Sequence, residues 1–201
     1  MDQLVLHTNA AATQHPRLCT QQRYSQWHAV TRAEMTLFFA ISVYLGVVKV
    51  QNRKLIWRRG GIFEQKWVTQ RMSLRRFECI LNGLNCCNYW TLSDAEYTAK
   101  NATNPFWQIE HLVSVCNECC ALHFKMGRAF SIDEAVIPWK GKHRARCYNP
   151  KKPAKYHLKK FSLNCASTGF VYSASVQSSP SQVVELRRWK SCSHGPSLSW
   201  S

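Results

Sequence analysis

Carboxylates are scarce in this 201-residue sequence: 11 Asp and Glu stand against 27 Lys and Arg, for a formal charge of +16 and a pI near 9.7. Only three are Asp, at Asp2, Asp94 and Asp133, and after Glu134 the sole remaining acid is Glu185. Chemistry that relies on clustered carboxylates has little to draw on, and the charge points to nucleic acid or an anionic membrane surface as the partner class. Long hydrophobic runs are also lacking. Met35 to Val50 is the longest apolar stretch, and Thr36, Ser42 and Lys49 interrupt it. It falls short of the roughly 20 residues a membrane helix needs, so no membrane partner is expected. The opening MDQLVLHTNAAATQHP has no basic segment leading into an apolar one, so no secretory leader is expected. The ten cysteines are then expected as reduced thiols. Apolar material is ample, at 45% hydrophobic with eight Trp, which excludes a disordered chain. These bounds describe a soluble, intracellular, basic protein.

No internal repeats are present. Residues 1–30 are polar without a sustained period and are expected to be irregular. Thr31 with Glu34 forms a capping box, and Met35, Leu37, Phe38, Phe39, Ile41, Tyr44, Leu45 and Val48 follow. Apolar residues run nearly all round this helix, which predicts burial on most sides. Arg58-Arg59-Gly60-Gly61 reads as a basic turn. Ser73 caps a second helix carrying Leu74, Phe77, Ile80, Leu81 and Leu84 at helical spacing. Residues 86–103 read as a loop. Asn104-Pro105 then opens a third helix with the stripe Phe106, Ile109, Val113, Cys116, Cys120 and Phe124.

The character changes at Gly127. Residues 129–137, 161–165 and 170–176 read as strands, the last two joined by Ser167-Thr168-Gly169. From Gln177 Ser and Pro dominate and the apolar pattern fades. The expected architecture is α+β: an irregular segment at 1–30, a helical region at 31–125, the opening strands of a sheet at 126–176, and a divergent tail at 177–201. Trp27, Trp57, Trp67, Trp90 and Trp107 are expected as core anchors. Neither a Gly-rich phosphate cradle nor a Ser/His/Asp arrangement is found, and no small-molecule substrate is expected.

The most informative stretch is Ser131-Ile132-Asp133-Glu134-Ala135-Val136-Ile137-Pro138-Trp139-Lys140-Gly141-Lys142, running on to Tyr148-Asn149-Pro150-Lys151-Lys152-Pro153-Ala154-Lys155-Tyr156. It resembles the first catalytic segment of piggyBac-family transposases: a strand, Asp-Glu, Pro-hydrophobic-Lys-Gly-basic, then Pro-Lys-Lys-Pro-x-Lys. Upstream pieces are similar to the same family: Thr31 to Lys49 with its closing Leu45-Gly46-Val47-Val48-Lys49, Met72-Ser73-Leu74-Arg75-Arg76-Phe77-Glu78, and Asn104-Pro105-Phe106-Trp107. The resemblance spans about residues 31–176.

It implies an RNase H-like core, here incomplete, that cuts and rejoins DNA with three carboxylates and two Mg²⁺ clamping the attacking and leaving oxygens. Asp133 matches the family's first metal-binding Asp, and Glu134 points to the opposite face by strand alternation. The other two Asp lie downstream in the family, and no Asp follows Asp133 in this chain. The residues around Glu185, Val183 to Trp189, are similar to the helix preceding the second catalytic strand, and a truncated reading frame would account for the end at Ser201. One acid cannot position two hard cations. Asp133 is therefore expected as an inherited catalytic and metal-binding position in an incomplete site, the chain as a non-enzyme, and Mg²⁺ as the cofactor of the ancestral enzyme alone. Without the flanking motif, Asp133 would read as an ordinary surface carboxylate.

The second feature is a basic stretch in which Lys140, Lys142, Arg144, Arg146, Lys151, Lys152, Lys155, Lys159 and Lys160 place nine cations in 21 residues with no acid between. A loop of this kind suits a phosphodiester backbone. Four to six phosphate contacts would give a log–log salt slope of about −4 to −5, and Trp139, Tyr148 and Tyr156 are placed to stack on unpaired bases. The bland alternatives are a solvated charged loop or a nuclear-import signal. Arg53, Lys54, Arg58, Arg59, Arg71, Arg75 and Arg76 form a second, weaker cluster. Cys116, Cys119 and Cys120 with His123 have partial zinc spacing, but Cys116 and Cys120 continue the apolar stripe, so core packing is expected.

Three function classes follow. The first is a nuclear, transposase-derived protein that binds double-stranded DNA without cutting it. The second is a remnant or protein-interaction module resting on the helical half. The third is a metal-dependent nuclease or strand transferase completed by a partner chain, either a homodimer mate or a full-length transposase-like protein.

Overall fold

The computed structural model describes residues 1–15, 18, 20–21, 27–125, 127 and 129–176. The chain divides into two compact units, residues 1–93 and 94–201. The expected tail at 177–201, with Glu185, lies outside the described residues.

The first unit is helical: α1 (Asp2–Gln14), α2 (Arg32–Val47), α3 (Lys66–Thr69) and α4 (Leu74–Gly83), with short 3-10 turns at Arg53–Trp57 and Tyr89–Thr91. Residues 2–14, expected to be irregular, form α1. Leu4, Thr8, Ala11 and Ala12 are its buried face, at helical spacing but with side chains too small and mixed to register as an apolar stripe. Asn9 fixes the chain that follows, donating from Nδ2 to the Val30 carbonyl (3.0 Å) and accepting from the Val30 N–H (2.7 Å).

Met35, Phe38 and Ile41 of α2 join Ile56, Val68, Met72, Phe77 and Ile80 in one core. The expectation that α2 is buried on most sides does not hold, since Val43 and Val47 are 67% and 76% exposed. Met35, Phe38 and Ile41 face the core, Leu37, Phe39, Tyr44 and Leu45 are partly buried against it, and Val43 and Val47 stay uncovered. Both expected caps form: the Thr31 hydroxyl accepts from the Glu34 N–H and the Ser73 hydroxyl from the Arg76 N–H, each at 3.2 Å. Trp57 donates its indole N–H to the Met72 carbonyl at 2.9 Å and packs on Phe77, and Tyr44 meets Trp67 edge-on. These Trp side chains line the core without being fully buried.

The second unit holds α5 (Asp94–Thr103), α6 (Trp107–His123) and four strands, β1 (Phe130–Pro138), β2 (Cys147–Tyr148), β3 (Tyr156–Cys165) and β4 (Val171–Val176). The mixture is α+β, as expected. α5 occupies most of the segment read as a loop. It buries nothing, and its charges follow the helix dipole, with Asp94 and Glu96 in the first turn and Lys100 in the last. The sheet is antiparallel, with β3 flanked by β1 on one side and by β2 and β4 on the other. The turn from β3 to β4 places Gly169 at φ +70°, where a side chain would be strained, and its N–H reaches the Cys165 carbonyl at 2.8 Å.

α6 lies along β4, where the Asn117 carboxamide binds both backbone groups of Ala174. No residue of α6 is buried. The expected core packing of Cys116 and Cys120 is corrected accordingly: Cys116 is exposed, as is Cys119, and Cys120 is half-buried, on a helix whose main described neighbour is β4. All eight described cysteines are free thiols. No described helix is long and apolar enough to cross a membrane.

Candidate nucleic-acid interface

Asp133 sits near the middle of β1, exposed, directly opposite the buried Ser162 of β3. Side chains alternate along a strand, so Asp133 shares its face with Ser162 and, at the diagonal position, with Lys160. Glu134 faces the other way, where its Oε2 meets the Lys159 ammonium at 3.4 Å. Asp133 enters no ion pair among the described residues.

The donors around Asp133 do not fit the pair of Mg²⁺ that the family resemblance implies. Its cross-strand neighbours are a serine hydroxyl and a lysine, and among the described residues no group of three or more His, Cys, Asp or Glu side chains is placed to share a cation. Two hard divalent ions need several oxygen donors, most of them anionic. Cys116, Cys119, Cys120 and His123 are likewise not among any described group of three or more side chains placed to share a cation.

The nine expected DNA-binding cations do not lie on one loop. β2 divides the stretch into a segment at 139–146 and a hairpin tip at 149–155, while Lys159 and Lys160 belong to β3 and face opposite sides of the sheet. Three of the nine already have partners. Lys159 is paired with Glu134. Arg144 Nη1 reaches the carbonyls of Asn101 (3.2 Å) and Ala102 (3.4 Å), capping the C-terminal end of α5. Arg146 donates to the Gly141 carbonyl at 3.1 Å and lies over the Tyr156 ring at 4.7 Å. Lys140, Lys142, Lys151 and Lys155 are exposed, Lys152 is half-exposed, and none of the five has an ion-pair partner among the described residues.

Local geometry gathers these five lysines. The Trp139 N–H donates to the Tyr156 carbonyl at 3.0 Å, which ties the start of the first segment to the base of the hairpin. The His143 ring stacks on Phe106, centroids 4.8 Å apart, and meets Trp139 edge-on. Gly141 runs so close to Trp139 that a Cβ there would stand 3.1 Å from the indole nitrogen. At the tip, the Asn149 N–H donates to the Lys155 carbonyl (2.8 Å) and the Asn149 Oδ1 accepts from the Lys151 N–H (3.0 Å), closing a loop that contains Pro150 and Pro153. Lys151, Lys152 and Lys155 therefore project from an ordered turn. Of the expected stacking residues, Tyr148 and Tyr156 form a cross-strand pair with centroids 4.9 Å apart, and Trp139 is 40% exposed.

In the first unit the Arg-rich cluster is partly consumed by structure. Arg76 is bound to Glu34 at 2.6 Å and Arg53 to Glu78 at 3.7 Å, whereas Lys54, Arg58, Arg59, Arg71 and Arg75 are exposed. Sequence reasoning missed the structural duty of Arg144, whose carbonyl partners belong to a helix that was not anticipated.

Known proteins resemble this chain in sequence and in fold. The chain is 25% identical over 130 residues, 65% of its length, to the human PiggyBac transposable element-derived protein 3 and, over the same length, to the human Chimeric ERCC6-PGBD3 protein. It spans 21% and 12% of those two relatives. Its fold matches the piggyBac transposase solved as a synaptic complex with hairpin DNA, with a TM-score of 0.75 at 18% identity, over 98% of this chain and 41% of that one. The family model described as Transposase IS4 matches residues 1–196. With that match over nearly its whole length, the chain belongs to the Transposase IS4 family and is a piggyBac-like, transposase-derived protein.

Proposed function

We propose that this chain binds double-stranded DNA through its phosphates and does not itself cut it. The observation that carries the reading is the set of five lysines, Lys140, Lys142, Lys151, Lys152 and Lys155, held on two ordered segments beside β2 with no carboxylate between residues 135 and 184. Lys160 extends the positive surface onto the face of Asp133. Contacts of this kind position DNA without reading its sequence. A solved structural neighbour carries DNA, which supports the same partner class. A DNA partner implies residence in the nucleus, which fluorescent tagging of the chain would show directly.

The non-catalytic half of the reading rests on Asp133. A two-metal displacement requires anionic oxygens on both ions, and among the described residues Asp133 is a single exposed carboxylate facing Ser162 and Lys160. The test is a plasmid assay with the purified chain in Mg²⁺ or Mn²⁺. Retardation of the plasmid without nicking is expected. Nicking that Asp133→Asn abolishes would overturn the reading and restore the alternative of a site completed by a partner chain.

A second reading, as a protein-interaction module or remnant, is favoured by α6. That helix buries no residue and leaves Leu122 79% exposed and Val115 37% exposed, a surface suited to a homodimer mate or a family-length partner. Plasmid binding that is lost on exchange of the five lysines for Gln favours the DNA reading over this one.

A further inference from the structure

The Tyr148–Tyr156 pair is not used by the lysine–phosphate contacts proposed above. The two residues lie directly opposite each other across β2 and β3, at the base of the lysine-bearing tip. They are the two most exposed aromatic side chains described in the second unit, at 59% and 49%. The Arg146 guanidinium lies over the Tyr156 ring at 4.7 Å, so Tyr148 carries the more open ring face. Next to the pair in the chain stand Arg146, Lys151, Lys152 and Lys155, whereas the sheet's two described carboxylates, Asp133 and the Lys159-paired Glu134, lie on β1, opposite Ser162 and Phe161 of β3.

Exposed rings framed by cations are the arrangement that holds single-stranded nucleic acid: the cations track the backbone and each ring offers a π-face to a base. A duplex cannot use those faces, because its bases are stacked on one another and present only edges to the grooves. We infer that Tyr148, backed by Tyr156 and Arg146, is a stacking platform for an unpaired base. On this inference the chain prefers DNA with single-stranded or flipped-out nucleotides beside the duplex. The inference rests on the DNA-binding reading above and adds the substrate class. The loop supports the geometry. Its ends are joined through Asn149 and Lys155, so the lysines stay within reach of the phosphates flanking a base stacked on Tyr148.

The experiment uses the full chain and two fluorescent probes, an oligothymidine of about 12 nucleotides, within the usual single-strand site size, and a duplex of equal length. Tyr148→Ala is expected to weaken oligothymidine binding at least about fivefold while leaving duplex binding unchanged. Tyr148→Phe, which keeps the ring, should retain both. Equal weakening on both probes, or on neither, would overturn the inference. Photo-crosslinking of the wild-type chain to a bromodeoxyuridine-containing oligonucleotide gives a second readout that does not depend on a variant folding. An adduct within residues 147–156 supports the platform, and adducts confined to other peptides contradict it. Failure of the DNA-binding reading looks different: exchange of the five lysines for Gln would then leave duplex binding intact, whatever Tyr148 does.

Discussion

Arg76 holds Glu34 through both carboxylate oxygens, Nε to Oε1 at 2.6 Å and Nη2 to Oε2 at 2.8 Å. The same guanidinium donates to the His28 carbonyl at 3.0 Å and lies over the Trp27 ring at 4.7 Å. Glu34 thereby serves two helices: its N–H is capped by Thr31, the Thr31 backbone helps to lower its carboxyl pKa, and the carboxylate binds Arg76 of α4. The Met-Ser-x-x-Arg-Phe-Glu segment acquires a physical meaning, since Ser73 caps the helix, Arg76 locks it to α2, Phe77 fills the core and Glu78 meets Arg53.

With the two side chains only 12% and 23% exposed, the pair is worth more than a surface ion pair. Glu34→Gln should destabilise the chain by about 1.5–3 kcal/mol in urea denaturation followed by circular dichroism. The hydrogen bonds and charge of Arg76 hold the Glu34 carboxyl below its ordinary value of 4.5, against the opposing effect of burial. The folded-state pKa is depressed, so the pair's contribution is fully present above the unfolded value and is lost as pH falls through the folded one. The gap between wild type and Glu34→Gln should therefore be constant near neutrality and close at acid pH below 4.5.

Asn117 does for β4 what a neighbouring strand would do, accepting from the Ala174 N–H at 2.9 Å and donating to its carbonyl at 3.0 Å. Asn117→Ala leaves two half-buried backbone groups to find water and should cost about 1–3 kcal/mol. Asn117→Asp keeps the acceptor and loses the donor, so it should fall between the two. Faster hydrogen exchange at Ala174 is the direct readout.

Arg144 is a helix cap before it is a phosphate contact. Arg144→Gln should accelerate amide exchange in the last turn of α5 and leave the salt dependence of DNA binding within about 0.3 slope units of wild type, less than one phosphate contact is worth. A full unit of lost slope would assign Arg144 to DNA instead.

Gly169 adopts φ +70° at the β3–β4 turn, with open space where a Cβ would sit. Gly169→Ala should therefore act through backbone strain alone, costing about 1–2 kcal/mol, without altering DNA affinity at temperatures where the variant is folded.

Where the chain buries a continuous apolar stripe, the sequence reports it directly, as with Met35, Phe38 and Ile41 in α2 or Phe77 and Ile80 in α4. The strands around Asp133 and after Phe161 are equally legible, because β-branched and aromatic residues cluster between turn residues. α1 and α5 are not, for different reasons. α1 packs through Leu4, Thr8, Ala11 and Ala12, whose hydropathy hardly departs from that of their neighbours. α5 has no buried face at all and is held by charges aligned with its dipole and by Arg144 from a distant segment. Both depend on partners remote in the chain. The basic stretch shows the same limit: its composition is plain in the sequence, but which cations stay unpaired depends on Glu134, Asn101 and Tyr156 being brought alongside, and only folding does that.

The central claim is that five unpaired lysines hold the DNA. It is tested most directly by fluorescence anisotropy on duplex DNA across a salt series, comparing the wild-type chain with a variant carrying Gln at positions 140, 142, 151, 152 and 155. Each phosphate contact contributes about −0.9 to the log–log slope. The account predicts a steep wild-type slope that flattens by about 4 units or slightly more in the variant when all five lysines meet phosphates, with the fold retained by circular dichroism. A slope that the five substitutions leave unchanged would contradict it.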